Sequence, residues 1–218
     1  MPPELLVCAP LRVEARALRR CPELWVRRTG YGRRRSVRAV ERISGIGFGA
    51  LAVAGLGGGL DPTLRSGDVV VGTEVLSAGR RLSSHAPEVL ARELRRVVPR
   101  VRLGVVVTSD HPVLGAQRRV LAESGATVVD MESGELAAAA GKHPFAVVRV
   151  VLDTSEQPLV APGAPRRLVG ALRRLRDTGL PLLRWSRAVA GDGSLETVRS
   201  RWSKEVPSWA SQCGRPSA

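Results

Sequence analysis

Residues 126–140, ATVVDMESGELAAAA, constrain this chain more than any other stretch. Thr127, Val128 and Val129 are β-branched and uninterrupted, the pattern of a short buried strand. From Ser133 the residues are rich in Ala and Leu and predict a helix. Between the two stand Asp130, Met131 and Glu132. Carboxylates at the end of a buried strand are costly unless they bind something. A second apolar run, PFAVVRVVLD, also ends in an acid, Asp153. Ligands of open α/β sheets lie outside the carboxyl ends of the strands, so two acid-bearing strand ends point to a site. Spacing alone leaves a second reading open, in which Asp130 caps the helix and Glu132 lies in its first turn, where acids are favourable.

Apolar runs alternate with helical patterns along the rest of the chain. Strands are predicted at 4–9, 24–28, 48–54, 69–75, 101–107, 127–129 and 145–152. Helices are predicted over 11–20, 35–43, 88–98, 113–124, from 133 onward, and over 168–189 with a break at 179–181. In the helix at 88–98 the apolar face is Leu90, Leu94, Val97 and Val98. Residues 76–86 and 154–165 read as loops, the second lying over the site. Directly after the strand at 48–54 comes Gly55-Leu56-Gly57-Gly58-Gly59, where each glycine costs conformational entropy. Either the backbone there approaches a ligand closely, or the run makes a strained turn. Gly30 and Gly32, in TGYGRRR ahead of a helix, could bring backbone N–H groups to an anion, or simply form a turn. Alternation of strands with helices predicts an α/β fold occupying residues 1–190, followed by a partly disordered extension at 191–218. The candidate site segments, 10–14, 29–35, 55–59, 108–111, 130–132 and Asp153, mostly follow predicted strands directly.

Composition narrows the class. Aromatic residues make up only 3% of the chain, so the core must be aliphatic. Cys8, Cys21 and Cys213 are odd in number and scattered, which argues against a disulfide framework or a zinc site and fits a reducing cytosol. The N-terminus has no basic region ahead of its short apolar run, and no window approaches the ~18 apolar residues of a membrane span. A cytoplasmic location is expected. The net charge of +14 admits nucleic acid, an anionic membrane surface or phosphorylated ligands as partners. With no aromatics interleaved among the arginines, nucleic acid is not expected. The arginine-rich run 166–187 also carries Leu168, Leu172, Leu175, Leu182, Leu183 and Trp185. It could hold the chain reversibly on the inner membrane face, leucines at the interface and arginines at headgroup level. Alternatively the leucines pack on the sheet and the arginines are solvated.

Four segments, AGLGGGLDPTLRSGDVVV, VTSD, VVDMES and VVRVVLDT, occur in an order and spacing that resemble the purine nucleoside phosphorylase and nucleosidase superfamily over residues 4–185. The APLRVEARAL opening, the compact N-terminal third and GGLDPTLRSGD are most similar to its short members in hopanoid biosynthesis, which act on adenosylhopane. The resemblance implies a three-layer α/β/α fold around a mixed, partly closed sheet. It also implies cleavage of a purine–ribose bond through an oxocarbenium-like transition state, assembly as at least a dimer, and no metal or cofactor beyond phosphate as an alternative co-substrate.

By the same resemblance, Asp153 is the acid that protonates the purine, for which burial would have to raise its pKa. Glu132 accepts the ribose hydroxyls and stabilises the developing positive charge. Met131 packs on the ribose, and Gly58 and Asp110 belong to the substrate pocket. Glu14 matches the base that activates water in the hydrolases. Arg12 matches a phosphate-gripping arginine of the phosphorylases, with Gly30, Gly32 and Gly58 as backbone donors. Water and phosphate are therefore both open as the nucleophile. The chain departs from the family pattern in having Leu152 before the acid, and His111 and Pro112 where some relatives stack the base on an aromatic. A methylthioadenosine or adenosylhomocysteine nucleosidase and a non-catalytic nucleoside-binding protein remain as alternatives; the pair Asp153 and Glu132 argues against the latter.

Overall fold

The structure is a computed structural model describing residues 2–190 and the backbone of residues 202–203; the rest of the predicted extension at 191–218 lies outside the described residues. Five strands of the sheet are β1 (Leu5–Ala9), β2 (Trp25–Arg28), β3 (Ala50–Gly59), β4 (Val69–Ser77) and β5 (Arg80–Ser83). The others are β6 (Val101–Thr108), β7 (Ala126–Asp130), β8 (Phe145–Asp153) and β9 (Trp202–Ser203). Their order is β2-β1-β3-β7-β6-β4-β5-β9, and β8 pairs with both β3 and β4. This double pairing closes β3, β7, β6, β4 and β8 into a ring, with parallel and antiparallel neighbours mixed.

Helices cover both faces. One aliphatic cluster joins the sheet to α1 (Arg12–Leu18), α3 (Pro87–Arg95), α6 (Ala164–Asp177) and α7 (Gly179–Ala190). The opposite cluster joins it to α2 (Arg33–Ile43) and α5 (Ser133–Ala138), and a smaller third cluster seats α4 (Ala116–Glu123). The result is the expected three-layer α/β/α fold with a mixed, partly closed sheet. β3 and β8 are buried along most of their length, which is why they read as continuous apolar runs rather than alternating ones.

Several local expectations change. Residues 55–59 are not a turn: β3 runs through them, and Gly58 faces Val129 of β7 and Asp153 of β8 in the ladders. The segment 76–86 is not a plain loop, since β4 extends to Ser77 and β5 turns back along it. Their tight turn places Ala78 and Gly79 at positive φ. Val97 is exposed because α3 stops at Arg95. The leucine-rich membrane face is also overturned. Leu175, Leu182, Leu183 and Trp185 are buried in the first cluster, and Leu168 and Leu172 pack against it. Burial against the sheet already contributes about 1.5–3 kcal/mol per such side chain, so these leucines are not free to enter a bilayer.

Candidate active site

The site begins where Pro10 ends β1 and α1 starts. Glu14 lies in the first turn of α1, where its Oε2 accepts the Leu11 N–H at 2.6 Å. Its Oε1 reaches across to β3 and accepts the Leu56 N–H at 2.8 Å. The side chain is therefore buried and held from both ends rather than solvated. Burial pushes its pKa up, against the pull of the Leu56 N–H and of Arg149.

Arg149 is the site residue that the sequence reading missed. It lies midway along β8 and is completely buried. Its Nε donates to Asp130 Oδ2 at 2.7 Å and its Nη2 to Ser133 Oγ at 2.8 Å. Nη1 is buried without a partner, an uncommon and costly state for a charged donor. Burial opposes the charge, but Asp130, Glu132 and Glu14 more than offset it and hold the guanidinium protonated. Gly55 permits the convergence: a Cβ there would stand 2.6 Å from Arg149 Nη1 and 2.9 Å from Glu14 Oε1. One arginine inside an otherwise apolar strand was the available signal.

The capping alternative holds for Asp130. Its Oδ1 accepts the N–H groups of Glu132 and Ser133, each at 3.1 Å, and the Thr108 hydroxyl at 2.8 Å. Asp130 thus ties β6, β7, β8 and the start of α5 together instead of facing a ligand. Glu132 does not follow that alternative. Its carboxylate turns to the 29–32 loop and accepts the Gly32 N–H at 2.9 Å. Burial, opposed by Arg149 and reinforced by Asp130, pushes its pKa up to about 7. Met131 sits beside the same loop, with the Tyr31 hydroxyl donating to its sulfur at 2.8 Å. Tyr31 belongs to the 29–35 segment expected at the site, and it supplies an aromatic there.

Asp153 ends β8 as expected, but it is only partly buried and is not alone. Arg118 Nη1 donates to Asp153 Oδ2 at 2.5 Å, and Arg118 Nη2 to Gly59 O at 2.8 Å and Asp153 O at 3.2 Å. Burial alone is therefore not what sets this carboxyl's surroundings, contrary to expectation. Oδ1 accepts no hydrogen bond among the described residues. Gly58 lies beneath the arginine: a Cβ there would be 3.0 Å from Arg118 Nη2. Arg118 carries no sequence signal, since it is one of many arginines in helical stretches.

Four residues are not placed as expected: Asp110, Arg12, Gly30 and Gly32. Asp110 is exposed and bonds to the adjacent His111 ring at 2.6 Å, so it does not join the acid cluster. Arg12 is exposed on α1 and points away from Glu14 into an external cleft. Gly30 and Gly32 do not present free N–H groups to a phosphate. The first donates to Pro10 O at 3.0 Å and the second to Glu132. Their positive φ values let the loop fold back onto the site.

A model of the phosphorylase superfamily matches residues 23–165. No curated protein sequence matches the chain. Among solved structures, the chain is similar to the 5′-methylthioadenosine/S-adenosylhomocysteine nucleosidase of Neisseria meningitidis, solved with methylthio-immucillin-A. The identity is 17%, the TM-score 0.68, and the match covers 83% of this chain and 97% of that one. A similar match is the nucleosidase of Colwellia psychrerythraea in complex with adenine, at 17% identity and TM-score 0.68, covering 83% of this chain and 94% of that one. The futalosine hydrolase of Helicobacter pylori matches at 16% identity and TM-score 0.67, covering 85% and 97%. At these identities the solved structures establish the fold.

Proposed function

The chain belongs to the phosphorylase superfamily and is a nucleoside phosphorylase or N-ribosyl hydrolase; on that premise we propose that it hydrolyses the N-glycosidic bond of an adenine nucleoside. The observation that carries the choice of water is the charge around Arg149. One guanidinium faces three carboxylates, Asp130, Glu132 and Glu14. With Asp130 already paired to Arg149 and two further carboxyls beside it, the pocket offers a phosphate little uncompensated positive charge, whereas a water suits it. The unpartnered Nη1 of Arg149 donates to the water oxygen, and Glu14, its pKa raised by burial, accepts the proton. Glu132 and Met131 hold the ribose, with Glu132 countering the charge that develops on the sugar. Asp153 accepts a proton from solvent at Oδ1, the oxygen Arg118 leaves open, and passes it to the purine nitrogen as the bond breaks. The water oxygen bonds to the anomeric carbon as the bond to the purine breaks, giving a free sugar and adenine.

Two readings of the 5′ substituent have support. The sequence resemblance favours adenosylhopane, a lipid whose adenosine head would be met at an anionic membrane. With the α6 and α7 leucines buried, that meeting would be electrostatic. Similarity to the nucleosidase solved with methylthio-immucillin-A favours methylthioadenosine or adenosylhomocysteine. Assembly as at least a dimer belongs to the same proposal and is read by light scattering. The deciding assay incubates the full chain with each nucleoside, with and without phosphate, and follows adenine, free sugar and sugar 1-phosphate. Adenine release at the same rate without phosphate is expected. Formation of sugar 1-phosphate would overturn hydrolysis, and no adenine from any of them would overturn the adenine-nucleoside reading.

A further inference from the structure

The surface outside the 10–12 and 28–31 loops carries a concentration of unpaired charge. Arg12, Arg16 and Arg19 recur along α1 at intervals that place them on one helical face, and with Arg28 of β2 they line an open cleft of ≈ 540 Å³. Arg12 and Arg28 also line a second cleft of ≈ 480 Å³, together with Arg35, Arg38 and Arg42. These last three recur along one face of α2. The two clefts share residues and so form one continuous trough. Its place in the fold explains it: β2 is the edge of the sheet, and α1 and α2 pack on opposite faces of that sheet. Their arginine stripes meet beyond the edge strand.

No acidic side chain lines the trough. Some arginines elsewhere are ion-paired, as Arg33 is by Glu135, Arg81 by Glu74, Arg100 by Asp68 and Arg187 by Glu4. Among the described residues, none of Arg12, Arg16, Arg28, Arg35, Arg38 and Arg42 has an ion-pair partner. Thr29 also lines the second cleft, and its buried hydroxyl has no partner either. Like charges gathered this closely destabilise a folded chain unless a counter-ion joins them.

We propose that this trough is a binding site for a phosphoryl-rich anion, separate from the nucleoside site. Arginine forks suit phosphoryl oxygens because each can give two parallel hydrogen bonds. A single orthophosphate cannot span stripes on two helices and the strand between them; a ligand with several phosphoryl groups in a row can. The same chemistry is offered by a free polyphosphorylated molecule and by the headgroups of an anionic bilayer. The inference rests on the surface alone and stands whether or not the chain is a hydrolase. Tyr31 lines the trough and bonds to Met131, so occupancy of the trough and of the nucleoside site would be linked through one loop.

The test uses the full chain and calorimetric titration with inorganic tripolyphosphate and with orthophosphate at one fixed ionic strength. Tripolyphosphate is expected to bind about tenfold or more tightly than orthophosphate, because it engages more arginine forks at once. The double variant Arg28→Ala, Arg38→Ala is expected to lose about tenfold of that affinity. Its melting midpoint in the absence of anion should be no lower than that of the parent, since repulsion has been removed; this separates loss of the site from loss of the fold. A second arm sediments the protein with phosphatidylglycerol and with phosphatidylcholine vesicles. Capture by the anionic vesicles alone, reversed by tripolyphosphate and weakened in the double variant, identifies headgroups as the source of the phosphoryl groups. Tripolyphosphate binding without vesicle capture identifies a free ligand. Equal affinity for orthophosphate and tripolyphosphate, or a double variant that binds as the parent does, overturns the proposal.

Discussion

Glu132→Gln tests the electrostatics of the site through stability, independently of any substrate. In the folded chain Glu132 keeps its proton up to about pH 7, against an ordinary value of 4.5. Between those values the folded state binds more protons than the unfolded one. Stability associated with the protonated group is then complete below about pH 4.5 and is lost as pH rises through about 7. The gap corresponds to ~3 kcal/mol. Glutamine has the same shape, stays neutral, and still offers its side-chain oxygen to the Gly32 N–H, so it should escape this loss. The empty variant is expected to match the parent near pH 4.5 and to exceed it by up to ~3 kcal/mol at about pH 8, an increase of several degrees in melting midpoint. Urea unfolding across that range reads the difference directly. Turnover should move the opposite way, because a neutral amide cannot counter a developing positive charge on the sugar. A variant no more stable than the parent at about pH 8, or a stability gap that ignores pH, would refute the reasoning: burial would then not be what raises the Glu132 pKa.

Asp153→Asn keeps the shape of the acid and cannot protonate a leaving base, so base release should fall by about 10²–10⁴-fold while nucleoside binding, followed by fluorescence or calorimetry, persists. Arg118→Met removes the guanidinium from a partly buried carboxylate, and a double-mutant cycle with Asp153→Asn should return a coupling of about 0.5–3 kcal/mol in urea unfolding. A coupling near zero would mean that the pair is incidental. Gly55→Ala places a methyl between Arg149 and Glu14 and should cost about 1–3 kcal/mol through overpacking, with turnover falling further than stability accounts for; unchanged turnover would remove that pair from the reaction centre.

The elements of the fold were legible wherever one period dominated. β3 and β8 announced themselves by unbroken aliphatic runs, and α3 by apolar residues at helical intervals. Failures came where a neighbour rather than the segment set the conformation. The glycines of residues 55–59 fitted a close approach to a ligand as well as a strained turn, because both uses favour glycine. In the structure they continue β3, because Val128, Arg149 and Arg118 press against it and leave no room for a Cβ. The leucines of α6 and α7 could as well have faced a bilayer on their spacing alone. The sheet they cover decides the matter, and a sheet is assembled from strands distant in sequence.

The site divides along the same line. Glu132 and Asp153 stood out because a carboxylate at the end of an apolar run is chemically out of place, whereas Glu14 was picked out only by the family resemblance. Their partners were not readable. Arg149 is itself out of place in β8, yet its meaning depends on Asp130 from β7, Glu14 from α1 and the absent side chain of Gly55, which only the closed sheet brings together. A single buried guanidinium with three acids leaves the interior short of positive charge, while six arginines without ion-pair partners crowd the nearby sheet edge among the described residues. Part of the high net charge thus lies at this sheet edge rather than among the buried acids of the candidate site. It is held outside, behind the 29–32 loop whose Gly32 N–H is already committed to Glu132. In the proposed reading, that separation lets one small chain combine an acid-rich interior with an anion-attracting surface. In the same reading the interior acids, rather than the arginines, are the residues on which the choice of nucleophile turns.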